Sequence, residues 1–397
     1  MNNQQLTKLM ELADRIKPLQ SNVFADMDRA KSVAISQGKT IIDLSLGSSD
    51  LAAPDHVIKT IEKELHNPST HAYLLHGETQ KFRQVVAQWY ENRFGIAVNP
   101  ETEVLQLIGC QEGTAHLPLA VLNPGDIALL LDPGYPSHAG GVYLAGGQIY
   151  TMPLLAENNY LPVFKDIPNS VLTKAKMMVL SYPHNPTTGV ANLPFFEDAV
   201  NFCKTHNIVL VHDFPYMDIY FDNNKPPSIF QADTKKQVSI EFLTFSKSYN
   251  MGGFRIGFAI GNEQLIQALK QVKAVIDFNQ YRGILTGAIS ALTGDQECVK
   301  NTVNIYRERR DYLVNSLAKI GWQIFPPKAT LYVWAKLPEK WANNSGEFCT
   351  QLVAKTGVAL SAGAGFGKLG EGYVRFALVR EPDILQEAVA KIASFEL

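Results

Sequence analysis

The chain has 397 residues, 46% of them apolar and 19% charged, a balance that excludes a disordered, collagenous or coiled-coil polypeptide. At ~150 residues per domain, that length allows two to three folding units. Thirty-six basic and thirty-eight acidic side chains leave a net charge of −2, so no global field draws the protein to nucleic acid or an anionic membrane, and a small-molecule partner is expected.

The four cysteines, Cys110, Cys203, Cys298 and Cys349, form no Cys-x-x-Cys pair and have no His-rich surroundings, which predicts reduced thiols and no metal site. The opening twenty residues form an amphipathic stretch that carries acids among its bases and lacks the apolar segment of a signal peptide. No run of about 18 apolar residues occurs, which removes a membrane helix and leads us to expect a cytoplasmic protein.

Short apolar runs predict strands at Ile41–Leu46, Val104–Ile108, Ile127–Leu131, Gln148–Met152, Met177–Ser181, Ile208–His212, Ile240–Thr244 and Ile256–Ile260. Apolar residues at three- and four-residue spacing predict helices between several of them, at Lys81–Arg93, Glu112–Leu122, Phe195–Thr205 and Glu263–Val275. This alternation argues for an α/β fold with a mostly parallel sheet. After Thr286 the pattern changes: long helices at Cys298–Ile320 and Asp383–Ser394 surround strands at Gln323–Phe325, Leu331–Lys336 and Tyr373–Ala377. We expect a large domain over 45–292 and a smaller α+β domain assembled from 1–44 and 293–397.

Ligands of open α/β sheets bind beyond the carboxyl ends of the strands, so residues just past strand runs deserve inspection. Asn185-Pro186 follows one such run, Asp213 the next, and Lys247 the one after, while Arg255 opens another. Taken singly, each has a plain structural explanation. An Asp after a strand is ordinarily a turn or helix-cap residue, Asn-Pro is a common turn, and a lysine between Ser246 and Ser248 is ordinarily solvated. Those explanations do not account for an acid, a hydroxyl-bearing aromatic (Tyr216), a lysine and an arginine arriving in order, each beside a buried strand.

The set Asn185-Pro186, Asp213-x-x-Tyr216, Thr244-Phe245-Ser246-Lys247 and Gly253-x-Arg255-Ile256-Gly257 resembles the signature of the fold-type I, pyridoxal 5′-phosphate (PLP)-dependent aminotransferases of class I/II. The resemblance runs from Gly47 to Arg375, with Thr244 standing where Ser or Gly is usual. It implies the PLP transferase fold: a large domain with a mostly parallel central sheet plus a smaller α+β domain. Lys247 would form the imine with the cofactor and, once displaced, shuttle the substrate proton. Asp213 would pair with the protonated pyridine nitrogen, and Tyr216 and Asn185 would bond the cofactor's 3′ oxygen. The phosphate would be held by backbone at Gly109, Cys110 and Gln111, together with Thr244, Ser246 and Arg255. Relatives commonly carry Ser or Ala at the Cys110 position, so a backbone role is expected there in preference to a reactive thiol. Tyr135 would stack on the pyridine ring.

Tyr73 matches a tyrosine that reaches the neighbouring subunit's phosphate, which implies a homodimer with shared active sites. Relatives have Gly five residues after it, whereas this chain has Gly77 at four and Glu78 at five. Arg375 would clamp the substrate α-carboxylate beside Gly47. Relatives usually have Pro where Ser49 stands. Arg282 falls where a partner lines the side-chain pocket, so it either pairs with a distal carboxylate or is an interface arginine.

The implied reaction is ping-pong transamination between an L-amino acid and a 2-oxo acid, with aspartate, glutamate or LL-diaminopimelate as substrate. Two alternatives are a lyase or decarboxylase of the same fold and a PLP-binding regulator. The latter would need a DNA-binding module, for which the residues before Ile41 leave no room. Two decoys are set aside. Gly365-x-Gly367-x-x-Gly370 precedes a strand, so it cannot cradle a dinucleotide. His184, with no second His or Cys near it, is read as structural.

Overall fold

The computed structural model describes residues 13–19 and 23–395; most of the opening amphipathic stretch lies outside them. Twelve strands are present in that part: β1 (Ile42–Asp43), β2 (Val104–Leu107), β3 (Ile127–Asp132), β4 (Gln148–Pro153), β5 (Ala175–Leu180), β6 (Val209–Asp213), β7 (Ser239–Thr244), β8 (Gly257–Gly261), β9 (Tyr332–Lys336), β10 (Val358–Ala359), β11 (Ser361–Ala362) and β12 (Tyr373–Ala377).

A seven-stranded sheet has the order β2-β8-β7-β6-β5-β3-β4. β8 pairs antiparallel with both β2 and β7, and every other pairing is parallel. The strands inside the β4 edge are buried on both faces, which is why they read as near-continuous apolar runs, whereas β4 at the edge is largely exposed. Successive side chains of a strand face opposite sides. Thus Leu129 and Leu131 of β3 and Leu210 of β6 enter one apolar cluster with Phe82, Phe196 and Leu285. Ala128, Leu130 and Val211 enter a second, with Leu117 and Leu269.

A third cluster draws on both ends of the chain, with Met27, Ala34, Ile42 and Leu44 packed among residues from Tyr306 to Phe395. It surrounds the antiparallel sheet β11-β12-β9 and the parallel pair β1-β10. Within the first 44 residues, Asp14–Leu19 lies instead against the helix Pro136–Leu144. No helix among the described residues is long and apolar enough to cross a membrane.

Two predicted strands are revised. The Ile41–Leu46 run forms only two strand residues, because the Asp43 carboxylate accepts from both the backbone and the hydroxyl of Ser45 and turns the chain. Gln323–Phe325 forms no strand: Phe325 is 96% exposed, and Pro326 and Pro327, which lack an N–H to donate, follow it. The six predicted helices are present with ends shifted by no more than two residues, while Val23–Ser36, Asp55–Leu65, Pro136–Leu144, Arg282–Thr293, Ser345–Thr356 and the single turns Asn169–Leu172 and Phe245–Ser248 are additional.

Candidate active site

The carboxyl ends of β5, β6 and β7 open on one cavity of about 460 Å³, closed from above by Gly47 and by the β9–β12 sheet. It is lined by Gly47, Cys110, Gln111, Tyr135, Asn185, Asp213, Tyr216, Thr244, Ser246, Lys247, Arg255 and Arg375. Gly109 stands directly behind the Cys110 turn.

Asp213 ends β6 and is 4% exposed. His212 fixes that strand end: its Nδ1 meets Glu241 Oε2 at 2.8 Å on β7, and its Nε2 meets the Tyr182 carbonyl at 3.1 Å. One Asp213 oxygen, Oδ2, lies 3.0 Å from His138 Nε2. The other, Oδ1, is buried and receives no N–H or O–H donor among the described residues. The Cys110 thiol beside it is too weak a donor to satisfy a carboxylate. Burial, then that carboxylate, pushes the Cys110 thiol well up, which agrees with an unreactive side chain at this turn.

Thr244 caps the short helix Phe245–Ser248 by accepting from the Ser246 N–H at 3.2 Å, which throws Lys247 into the cavity. The Lys247 ammonium donates to the Gly47 carbonyl at 2.5 Å. Gly109 has φ +103° and opens the helix Cys110–Val121, whose first turn presents N–H groups with no intrahelical acceptor. A Cβ on Gly109 would stand 2.7 Å from Arg255 Nη2, so the glycine lets that guanidinium reach the helix start.

Arg375 on β12 is 1% exposed and donates to Asn185 Oδ1 and to the Ser45 carbonyl, both at 2.7 Å. Its guanidinium lies 4.1 Å over the Tyr332 ring and 4.7 Å from that of Phe366. Phe366 belongs to the Gly365–Gly370 segment, a pair of short 3-10 turns and no phosphate cradle. His184 is buried and bonds Thr187 Oγ1 at 2.7 Å, and burial, then His138, pushes its pKa down to about 3. It shapes the loop that carries Asn185.

Besides Gly109, which stands behind the cavity wall, two predicted residues are absent from the lining. Tyr73 is 85% exposed, with its ring edge-on to Phe278 at 5.9 Å. Arg282 is paired with Glu78, whose other oxygen accepts from the Leu75 N–H at 2.9 Å, so the shifted Gly77-Glu78 sequence has acquired a partner. Ser49, standing where relatives have Pro, accepts from the Tyr306 hydroxyl and donates to Asn250 Oδ1, each at 2.8 Å.

Two cavity neighbours escaped the sequence reading. His138 follows Tyr135 by three residues, one helical turn, and that spacing was the available signal. Tyr332 lines the cavity from β9 and had no sequence signal, since it reads as one more apolar strand position.

A doubly wound sheet with a lysine, a buried acid and two arginines gathered at its carboxyl edge defines a fold-type I transferase. The chain belongs to the aminotransferase class I and II family, matched over residues 39–392, and it is an aminotransferase. It is 42% identical to the LL-diaminopimelate aminotransferase of Dehalococcoides mccartyi over 98% of this chain and 99% of that one. It is 41% identical to the LL-diaminopimelate aminotransferase of Aquifex aeolicus, covering 98% and 100%. Among solved structures it is similar to substrate-bound BacF of Bacillus subtilis (TM-score 0.93, 36% identity, 98% and 99% covered). A further similarity is to a probable N-succinyldiaminopimelate aminotransferase of Thermus thermophilus (TM-score 0.88, 40% identity, 94% and 99% covered).

Proposed function

We propose that the cavity binds PLP and that the enzyme transaminates LL-diaminopimelate with a 2-oxo acid in a ping-pong cycle. The observation that carries the cofactor reading is Asp213: one carboxylate oxygen is fixed by His138, and the other is buried without a strong donor, as a pyridinium N–H requires. The phosphate fits the first turn at Cys110 and Gln111, the Thr244 and Ser246 hydroxyls, and Arg255. Tyr135 offers a ring face, and Asn185 and Tyr216 offer polar atoms to the cofactor's oxygen.

When bound, the cofactor supplies an electron sink for charge developing at the substrate α-carbon. Arg375 holds the substrate α-carboxylate with a guanidinium already oriented by Asn185 and the Ser45 carbonyl. Lys247, released from Gly47, would take the proton from the α-carbon of the amino acid and hand it on to the cofactor, and would make the reverse transfer to the 2-oxo acid in the second half of the cycle.

The names of the relatives support LL-diaminopimelate as substrate, and the Glu78–Arg282 pair supports it chemically. Arg282 already has its charge met, so it does not wait for a lone distal carboxylate. The pair instead offers an anion to an ammonium and a cation to a carboxylate, the two groups at the far end of that diamino diacid. This reading needs a homodimer, in which the segments bearing Tyr73 and Arg282 reach the partner's cavity. The exposed Tyr73, Leu75, Val275, Ile276 and Phe278 give such an interface apolar surface. We also infer a cytoplasmic, biosynthetic setting.

Lys247→Ala is expected to abolish transamination and the visible absorbance of the bound cofactor, and full turnover in that variant overturns the assignment. Mixing the enzyme with single amino acids and following the cofactor's visible band tests the substrate. LL-diaminopimelate is expected to convert it, and conversion by apolar amino acids alone defeats the Glu78–Arg282 reading.

A further inference from the structure

Tyr332 stands between the two halves of the site. Its ring carries the Arg375 guanidinium at 4.1 Å, and its hydroxyl receives the Tyr216 proton at 3.0 Å, the two rings meeting edge-on. The same hydroxyl lies so close to Gly47 that a Cβ there would be 1.9 Å from it. It thereby packs against the residue whose carbonyl accepts from Lys247.

We propose that Tyr332 is a positioning residue of this site, its ring seating Arg375 and its hydroxyl donating to Tyr216 so that the Tyr216 proton is free for the cofactor's phenolic oxygen. The proposal rests on the cofactor reading given above. As the two hydroxyls stand in the structure, Tyr216 spends its one proton on Tyr332, and a hydroxyl has only one to give. A second acceptor beside Tyr216 therefore needs the Tyr216–Tyr332 bond to reverse, which hydroxyl rotation allows without moving either ring.

The charges around the pair favour that reversal. Tyr332 is faced by Arg375 from β12, Lys247 from the helix Phe245–Ser248, Tyr216 beyond β6, Tyr135 at the head of the helix Pro136–Leu144, and Tyr306 of the helix Glu297–Lys319. Burial by itself would raise the Tyr332 phenol, but the Arg375 and Lys247 charges and the Tyr216 hydrogen bond outweigh it and hold the phenol below the ordinary tyrosine range. Burial, then the Tyr332 oxygen, holds Tyr216 well above that range. The Arg375 and Lys247 charges, the first 4.1 Å over the Tyr332 ring, act on the Tyr332 hydroxyl whichever way its bond to Tyr216 runs, and a hydroxyl polarised by cations is the better donor, so Tyr332 is suited to give and Tyr216 to pass on.

Ring and hydroxyl separate in two variants of the full-length holoenzyme. Tyr332→Phe keeps the platform under Arg375 and removes the donor. It is expected to lower kcat about tenfold, the worth of one net hydrogen bond, with KM for the amino acid within about twofold. The pH midpoint of the cofactor's visible band is expected to rise. Tyr332→Leu removes the platform as well and is expected to raise KM about tenfold in addition.

A readout free of turnover is the phenolate absorbance of the cofactor-free protein. One tyrosine is expected to ionise below the rest in the wild type and to be missing in Tyr332→Phe. Unchanged kcat and band midpoint in Tyr332→Phe overturn the donor role, and a KM rise equal to that of Tyr332→Leu overturns the division between ring and hydroxyl. If the wild type forms no visible band with PLP, the cofactor reading itself falls and this proposal with it. A normal band with an idle Tyr332 hydroxyl defeats this proposal alone.

Discussion

Gly47→Ala tests the closure of the cavity most directly. Gly47 has no left-handed backbone requirement, so alanine costs nothing in local conformation; what it meets is Tyr332, with the added Cβ 1.9 Å from the hydroxyl oxygen and 2.5 and 2.6 Å from two ring carbons. Ordinary carbon contacts lie at about 3.5–4.0 Å, so the ring must move by more than 1 Å, and it is 3% exposed, pinned by Arg375 and Tyr216. Overpacking of this kind costs about 1–3 kcal/mol, which for a chain of this length lowers Tm by about 1–4 °C. The larger effect falls on catalysis, because the displaced ring carries Arg375 and the displaced loop carries the carbonyl bound to Lys247. A shift of about 1 Å there is expected to cost about 100-fold in kcat/KM. Tm by calorimetry and kcat/KM on a fixed substrate pair are the assays. Tyr332→Ala/Gly47→Ala completes a double-mutant cycle, in which the stability cost of Gly47→Ala should largely vanish. Gly346→Ala, in a helix with nothing within 4 Å of the new Cβ, is the control and is expected to be neutral or stabilising. Wild-type Tm and kcat/KM in Gly47→Ala would refute the contact between Gly47 and Tyr332.

Three other outcomes follow from the geometry. Asp213→Asn removes the charge opposite the pyridinium and is expected to weaken PLP binding about 10- to 100-fold, read by equilibrium dialysis; unchanged affinity contradicts the role of the buried oxygen. His184 is neutral in the fold, with a pKa of about 3 against an ordinary 6.5, so its contribution to stability is complete above pH 6.5 and is lost as pH falls toward 3. At pH 5 that loss is about 2 kcal/mol, and His184→Gln should narrow the Tm difference between pH 7 and pH 5 by about 2 °C; an unaltered difference sinks the assignment. Arg309 is 1% exposed and forks onto Asp50 at 2.7 and 2.8 Å while reaching Glu381 at 2.7 Å. Arg309→Met is expected to cost about 2–3 kcal/mol in urea denaturation, at the low end for a buried pair because Glu381 is mostly exposed, and Arg309→Lys should restore little of it.

The central sheet was legible because a strand buried on both faces writes an apolar run into the chain. Asp213, Lys247 and Arg255 were legible for a related reason: each lies just past or before such a run, at the edge where α/β folds bind ligands. The Ile41–Leu46 and Gln323–Phe325 runs misled because apolar character does not supply a pairing partner. One is turned by Asp43 and the other is followed by two prolines. His138 could have been found from its spacing to Tyr135, since residues three apart share a helix face.

The sequence by itself determined the class of fold, the order of the site residues along the chain and the chemistry each can perform, because strand periodicity and residue type are local properties. Tertiary structure alone decided which of them meet. Arg375 reaches Asn185 across 190 residues, Lys247 reaches Gly47 across 200, and Glu78 occupies Arg282 across 204. Tyr332 enters the site through the register of β9 against β12, which sets Trp334 opposite Arg375 and Tyr332 opposite Ala377. Such meetings depend on how two sheets and their helices pack, and no spacing along a chain encodes a distance between elements that only the packed core brings together.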